Sequence, residues 1–112
     1  MITSLYSGKT LDVLFCCPNK GNKIIQFKPH CHINQRWNLI RVGKVFAIKS
    51  VFSELLLDVK DGKKQPGAKI IQMPDSHKST QMWRLEKQED GSYVISLVAD
   101  DALILAVEKN SL

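Results

Sequence analysis

Short apolar runs recur along the chain roughly every ten residues, each closed by a turn signal. Val45-Phe46-Ala47-Ile48 and Tyr93-Val94-Ile95 are β-branched and aromatic, and Leu55–Val59, Lys69–Met73 and Met82–Leu85 have the same character. Between the runs stand Gly8-Lys9, Pro18-Asn19-Lys20-Gly21, Val42-Gly43-Lys44, Asp61-Gly62 and Asp90-Gly91. Glycine, asparagine and aspartate tolerate the left-handed backbone that tight turns need, and Asp-Gly is a strong hairpin signal. No stretch longer than ten residues keeps a helical period, although Asp75–Gln81 is expected to make a single helical turn. The pattern predicts an all-β fold, a barrel or a sandwich.

The runs repeat. Leu11-Asp12-Val13 recurs as Leu57-Asp58-Val59, Gly21 as Gly67, Lys23-Ile24-Ile25-Gln26 as Lys69-Ile70-Ile71-Gln72, and Gln35-Arg36-Trp37 as Gln81-Met82-Trp83. All are offset by 46 residues, as from Leu11 to Leu57. A shared register across so many positions is the mark of a repeat architecture. A third unit opens after Trp83. Tyr93–Leu97 matches Phe46–Ser50, and Leu105-Ala106-Val107 falls where Leu-Asp-Val is expected, two residues late, which the turn Gln88–Gly91 is expected to absorb. The sequence ends at Leu112 without a third Gln-x-Trp. The expected organisation is one domain over residues 1–112, in units of about 1–42, 43–88 and a truncated third, 89–112. Such a barrel is expected to be closed by a longer parent chain or by a second copy making a homo-oligomer, the alternative being a degenerate third unit with the gap left open.

Units of this size closed by Gln-x-Trp resemble the ricin B-type (R-type) lectin family, which folds as a β-trefoil. The likeness covers two units and the first half of a third. It implies that Trp37 and Trp83 fill the core, joined by Leu39, Leu85, Ile25 and Ile71. The family's sugar site uses an Asp that accepts from sugar hydroxyls, a stacking aromatic, and an amide, usually Asn before the Gln of Gln-x-Trp. Carried over, these are Asp12, Gln26, Asn34 and Gln35 in the first unit. The second offers Asp58, Gln72 and Gln81, with Thr80 in place of the Asn. The third has Ala106 where the Asp belongs. At the stacking position stand Lys28 and Pro74, so His30 or His32, and His77 in the second unit, are the candidate rings. Phe27 is expected to turn inward by strand alternation. Asp12 and Asp58 have a second reading, as caps of their own turns.

Composition adjusts this picture little. With 112 residues, 44% apolar and 24% charged, the chain suits a folded domain rather than disorder. No run approaches the ~20 apolar residues of a membrane span. Met1–Leu5 lacks a basic region followed by an apolar stretch, so no signal peptide is expected. Three cysteines, Cys16, Cys17 and Cys31, read as free thiols of a reducing, cytoplasmic compartment. A bridge from Cys16 or Cys17 to Cys31, and a secreted parent, remain open. The net charge of +5 permits anionic partners, and its densest part, Lys60–Lys69, reads as a solvated hairpin loop. Aromatics do not interleave with those lysines, which argues against nucleic acid. His30-Cys31-His32 is the one cluster with catalytic or metal-binding chemistry, but neighbours on a strand face opposite ways and a fourth ligand is missing. Neither an enzyme, a metal nor a cofactor is expected. The reading is a glycan-binding module, galactose-type sugars among its ligands. The alternative is a structural or protein-interaction trefoil that has lost its sugar sites.

Overall fold

The apolar runs become nine strands among the residues that the computed structural model describes, which are 1–4, 7–30, 32–65 and 67–105, with all their side chains but those of 101 and 102. The strands are β1 (Thr10–Val13), β2 (Ile24–Phe27), β3 (Trp37–Val42), β4 (Val45–Ser50), β5 (Leu56–Val59), β6 (Ile70–Met73), β7 (Trp83–Lys87), β8 (Tyr93–Leu97) and β9 (Asp100–Ile104). The all-β class expected from the sequence is the class observed. Cys31, Ala106 and Val107 lie outside the described residues.

All pairings are antiparallel. β1 and β2 form a two-stranded ribbon, and the other strands form one sheet in the order β6-β5-β4-β7-β8-β9, with β3 also on β4. The repeat is visible in the register. Leu11 faces Gln26 and Asp12 faces Ile25 in β1–β2, and Leu57 faces Gln72 and Asp58 faces Ile71 in β5–β6. Trp37 faces Ser50 as Trp83 faces Leu97. β3 and β4 are joined by Gly43-Lys44, where Gly43 takes a φ of 65°, a left-handed value that costs glycine nothing. Asp61-Gly62 does not close a tight hairpin as its composition suggests. It lies in a 3-10 turn, Lys60–Gly62, at the start of a longer connection to β6.

The third unit gains its two residues in two places. Lys87 faces Tyr93 where Arg41 faces Phe46, so the turn after β7 holds one more residue than the turn after β3. Ser96 faces Ile104 where Lys49 faces Leu56, so the second lies between β8 and β9, at a bulge beside Leu97. The turn at Gln88–Gly91 therefore absorbs one of the two.

Burial explains the strand pattern. Val13, Ile24, Ile48, Leu57, Val59, Trp83 and Leu97 form the buried cluster, and Trp37 packs against it half-buried. Ile71 is buried, Ile25 and Leu85 are half-buried, and Leu39 is 49% exposed. Leu39 departs from the expected core because β3 pairs only with β4 and exposes residues 38–42. No helix among the described residues is long and apolar enough to cross a membrane.

The unequal burial of the two tryptophans is testable. Trp83→Ala should lower unfolding free energy by about 3–5 kcal/mol, and Trp37→Ala by about half as much, since less of its ring leaves water. Urea titration of both variants measures this, and equal losses would contradict the packing described.

Candidate functional site

In each unit one 3-10 turn, Ile33–Gln35 or Ser79–Gln81, folds the Gln-x-Trp segment back over the Leu-Asp-Val strand. Gln35 Nε2 donates to Asp12 Oδ2 (2.9 Å) and to the Lys28 carbonyl (3.0 Å), while its Oε1 accepts from the His30 backbone N–H (2.9 Å). Gln81 repeats these bonds with Asp58 Oδ2 (3.0 Å), the Pro74 carbonyl (2.8 Å) and the Ser76 N–H (3.0 Å). The indole N–H groups of Trp37 and Trp83 donate to the carbonyls of Leu11 and Leu57, each at 3.2 Å. Both glutamines are fully buried. A buried amide costs little only when its donors and acceptor are all used, and here they are.

The two units part at the residue before the glutamine. In the first, Asn34 Nδ2 donates to Asp12 Oδ1 (2.9 Å) and to the Val13 carbonyl (3.3 Å). In the second, buried Thr80 stands there, and Asp58 Oδ1 instead accepts from the Val59 N–H (2.6 Å). His30 adds a further contact in the first unit: its Nε2 lies 3.3 Å from Asp12 Oδ2. Its Nδ1 accepts from the His32 N–H (3.1 Å), so the ring hydrogen of a neutral His30 sits on Nε2, facing the carboxylate. His77 does not reach Asp58. It is exposed at a left-handed φ of 56°, with Nδ1 3.6 Å from Asp75 Oδ1.

Strand pairing separates Gln26 and Gln72 from the aspartates. Residues opposite each other across a pair share a face, and neighbours along a strand do not. Asp12 therefore shares a face with Ile25 and Phe27, whereas Gln26 shares the other with Leu11. The second unit places Asp58 and Gln72 in the same way. Gln26 Oε1 accepts from the Ser7 hydroxyl (2.8 Å) and Gln72 Oε1 from the Ser53 hydroxyl (2.7 Å). Gln72 Nε2 also donates to the carbonyls of Cys17 (2.9 Å) and Asn19 (2.8 Å), tying the second unit to the first. These serines were the available signal, since Ser7 and Ser53 are themselves 46 residues apart.

Phe27 corrects another expectation. Alternation does act on β2, but the face that carries Phe27 is that of Asp12, not that of buried Ile24. Phe27 is 38% exposed, its ring centroid lies 6.1 Å from that of His30, and His30 lies 4.4 Å from His32. A row of three rings thus borders Asp12. An open depression of about 460 Å³ lies elsewhere, lined by Met1, Arg36, Trp37, Asn38 and Val51, and shares no residue with this cluster. Cys16 and Cys17 are free. Among the described residues, no group of three or more His, Cys, Asp or Glu is placed to hold a metal ion.

The chain matches a family model described as ricin-type beta-trefoil lectin domain-like, over residues 1–73 and again over 33–111. Among solved structures it is similar to ThreeFoil, a designed three-fold symmetric protein, at 30% identity over 88% of this chain and 71% of that one, with a TM-score of 0.86. It is similar to an exo-β-1,3-galactanase from Clostridium thermocellum at 29% identity over 97% of this chain and 25% of that one, TM-score 0.84. The C-half of an earthworm R-type lectin in complex with GalNAc matches at 24% identity over 96% of this chain and 75% of that one, TM-score 0.73. No curated protein matches it. The fold is a β-trefoil.

The glutamine clamp yields a stability prediction. Gln35→Leu strips Asp12, the Lys28 carbonyl and the His30 N–H of a partner, and should cost about 2–4 kcal/mol. Asn34→Thr, which installs the second unit's residue, should cost about 1 kcal/mol. Chemical denaturation of both variants tests the ranking, and a Gln35→Leu protein as stable as the parent would refute it.

Proposed function

The chain belongs to the ricin-type β-trefoil lectin-like family, and on that premise we propose that it is a carbohydrate-binding module, not an enzyme, whose first repeat holds the sugar. The observation that carries this reading is the Asp12 cluster. An ionised carboxylate offers about four acceptor directions. Asn34, Gln35 and His30 occupy three of those on Asp12, which leaves one on Oδ1 for a sugar hydroxyl. Asn34 Oδ1 is the buried side-chain polar atom without a partner among the described residues, and a hydroxyl donor would satisfy it. Phe27, His30 and His32 border the site with ring faces suited to the apolar side of a pyranose, galactose-type sugars included.

In this reading Gln35 positions Asp12, and Gln26 and Gln72 hold the strands behind the pockets. The second repeat, with Asp58 and Gln81, is the weaker site, because Asp58 spends an oxygen on its own turn and His77 lies away from it. One shallow pocket binds weakly, so association of several copies would supply the avidity that a lectin needs. A second reading draws on the same contacts. If the Asp–Gln pairs are struts alone, the chain is a structural or protein-interaction trefoil.

Retention on immobilised galactose and a glycan array separate the two. Asp12→Ala should weaken binding about tenfold or more, the loss of one charge-assisted hydrogen bond, and Asp58→Ala by less than about threefold. Thermal melts verify that each variant is folded. Failure to bind any glycan, or binding that survives both substitutions, favours the strut reading.

A further inference from the structure

The net charge of the chain is held by two loops. The connections from β1 to β2 and from β5 to β6 contain Lys20, Lys23, Lys60, Lys63, Lys64 and Lys69, with Asp61 as their one acidic residue. Their balance equals the +5 of the whole chain, and the other ten basic and ten acidic residues cancel. All six lysines are exposed. The fold also lays the first loop against β6, the strand that the second loop leads into. Gly21 N–H donates to the Gln72 carbonyl (2.7 Å) and Gln72 N–H to the Asn22 carbonyl (3.0 Å), with Lys23 bridged to Ile71. The Gln72 side chain closes the same seam on Cys17 and Asn19. The second loop runs from Lys60 to Lys69 and ends two residues before Ile71.

A phenyl ring projects from the first loop. Phe15 is 89% exposed and has a φ of 54°, followed by Cys16 at 51°. The matching positions of the second unit hold Asp61 and Gly62, ordinary tenants of a left-handed turn. A bulky residue in that conformation is strained, and the ring buries almost nothing within the chain to offset it. Contact outside the chain is where such a ring would be used.

We propose that these two loops form a docking face for an anionic phospholipid surface, with the Phe15 ring entering the headgroup–acyl boundary. Clustered lysines meet the negative potential of acidic lipids, and an aromatic ring at their edge finds an apolar layer there. A hydrated polyanion would answer the lysines but not the ring. Neither loop has a second aromatic on which successive bases could stack. The proposal does not depend on the sugar site.

Co-sedimentation of the full chain with phosphatidylcholine vesicles, with and without about 30 mol% phosphatidylserine, tests it. Partitioning should be at least about tenfold stronger on the acidic vesicles and should fall steeply with salt. Lys63→Glu/Lys64→Glu should remove about tenfold or more of it, and Phe15→Ser several-fold with an unchanged melt. Phe15→Trp should give a blue-shifted emission on binding. Equal partitioning on neutral and acidic vesicles would overturn the proposal, as would capture by heparin or an oligonucleotide without vesicle binding. So would full binding by either the lysine or the serine variant.

Discussion

A glutamine amide buried against an aspartate is the constraint from which this structure follows. Gln35 and Gln81 each spend their donors on an aspartate and a backbone carbonyl, and their oxygen on a backbone N–H. Each bond to a charged partner contributes on the order of 1.5–3 kcal/mol when buried. The geometry also sets the tryptophan two residues later over its own unit, where its indole N–H meets the carbonyl before the same aspartate. One side chain thus fixes the return of the chain, the position of the ring and the orientation of the carboxylate.

The repeat gives two nearly equal frames, and the differences between them carry the functional content. Asn34 holds the second oxygen of Asp12, whereas Thr80 leaves Asp58 to cap Val59. A histidine with its ring hydrogen toward Asp12 has no counterpart in the second unit, where His77 stands over Asp75. Binding chemistry is therefore concentrated in the first unit. Charge is distributed otherwise: it lies on the loops that close the two hairpins, the first of which is bonded to Gln72 of β6. Sugar contact and surface attachment would then use different parts of the same scaffold.

Much of this was legible in the sequence because the determinants are local and repeated. The 46-residue register of Leu-Asp-Val, Ile-Ile-Gln and Gln-x-Trp located β1, β2, β5 and β6, and the family likeness put each aspartate in one site with its Gln-x-Trp glutamine. What stayed hidden depends on which face a strand buries. Alternation places Gln26 and Phe27 on opposite faces, but only the pairing shows that the pocket face is that of Phe27. Leu39 reads as core by the family likeness and is exposed because β3 has one partner strand. The docking of the first lysine-rich loop on β6 arises from contacts between units, which spacing within a unit does not encode.

The most direct test of the sugar site is a nuclear magnetic resonance titration of the ¹⁵N-labelled protein with galactose, following the side-chain amides of Asn34, Gln35 and Gln81 and the ring of His30. The account predicts saturable shifts at Asn34, Gln35 and His30, with smaller ones at Gln81. Resonances that stay still at Asn34 and His30 while the sugar shifts residues elsewhere, or no saturable shift at all, would contradict it.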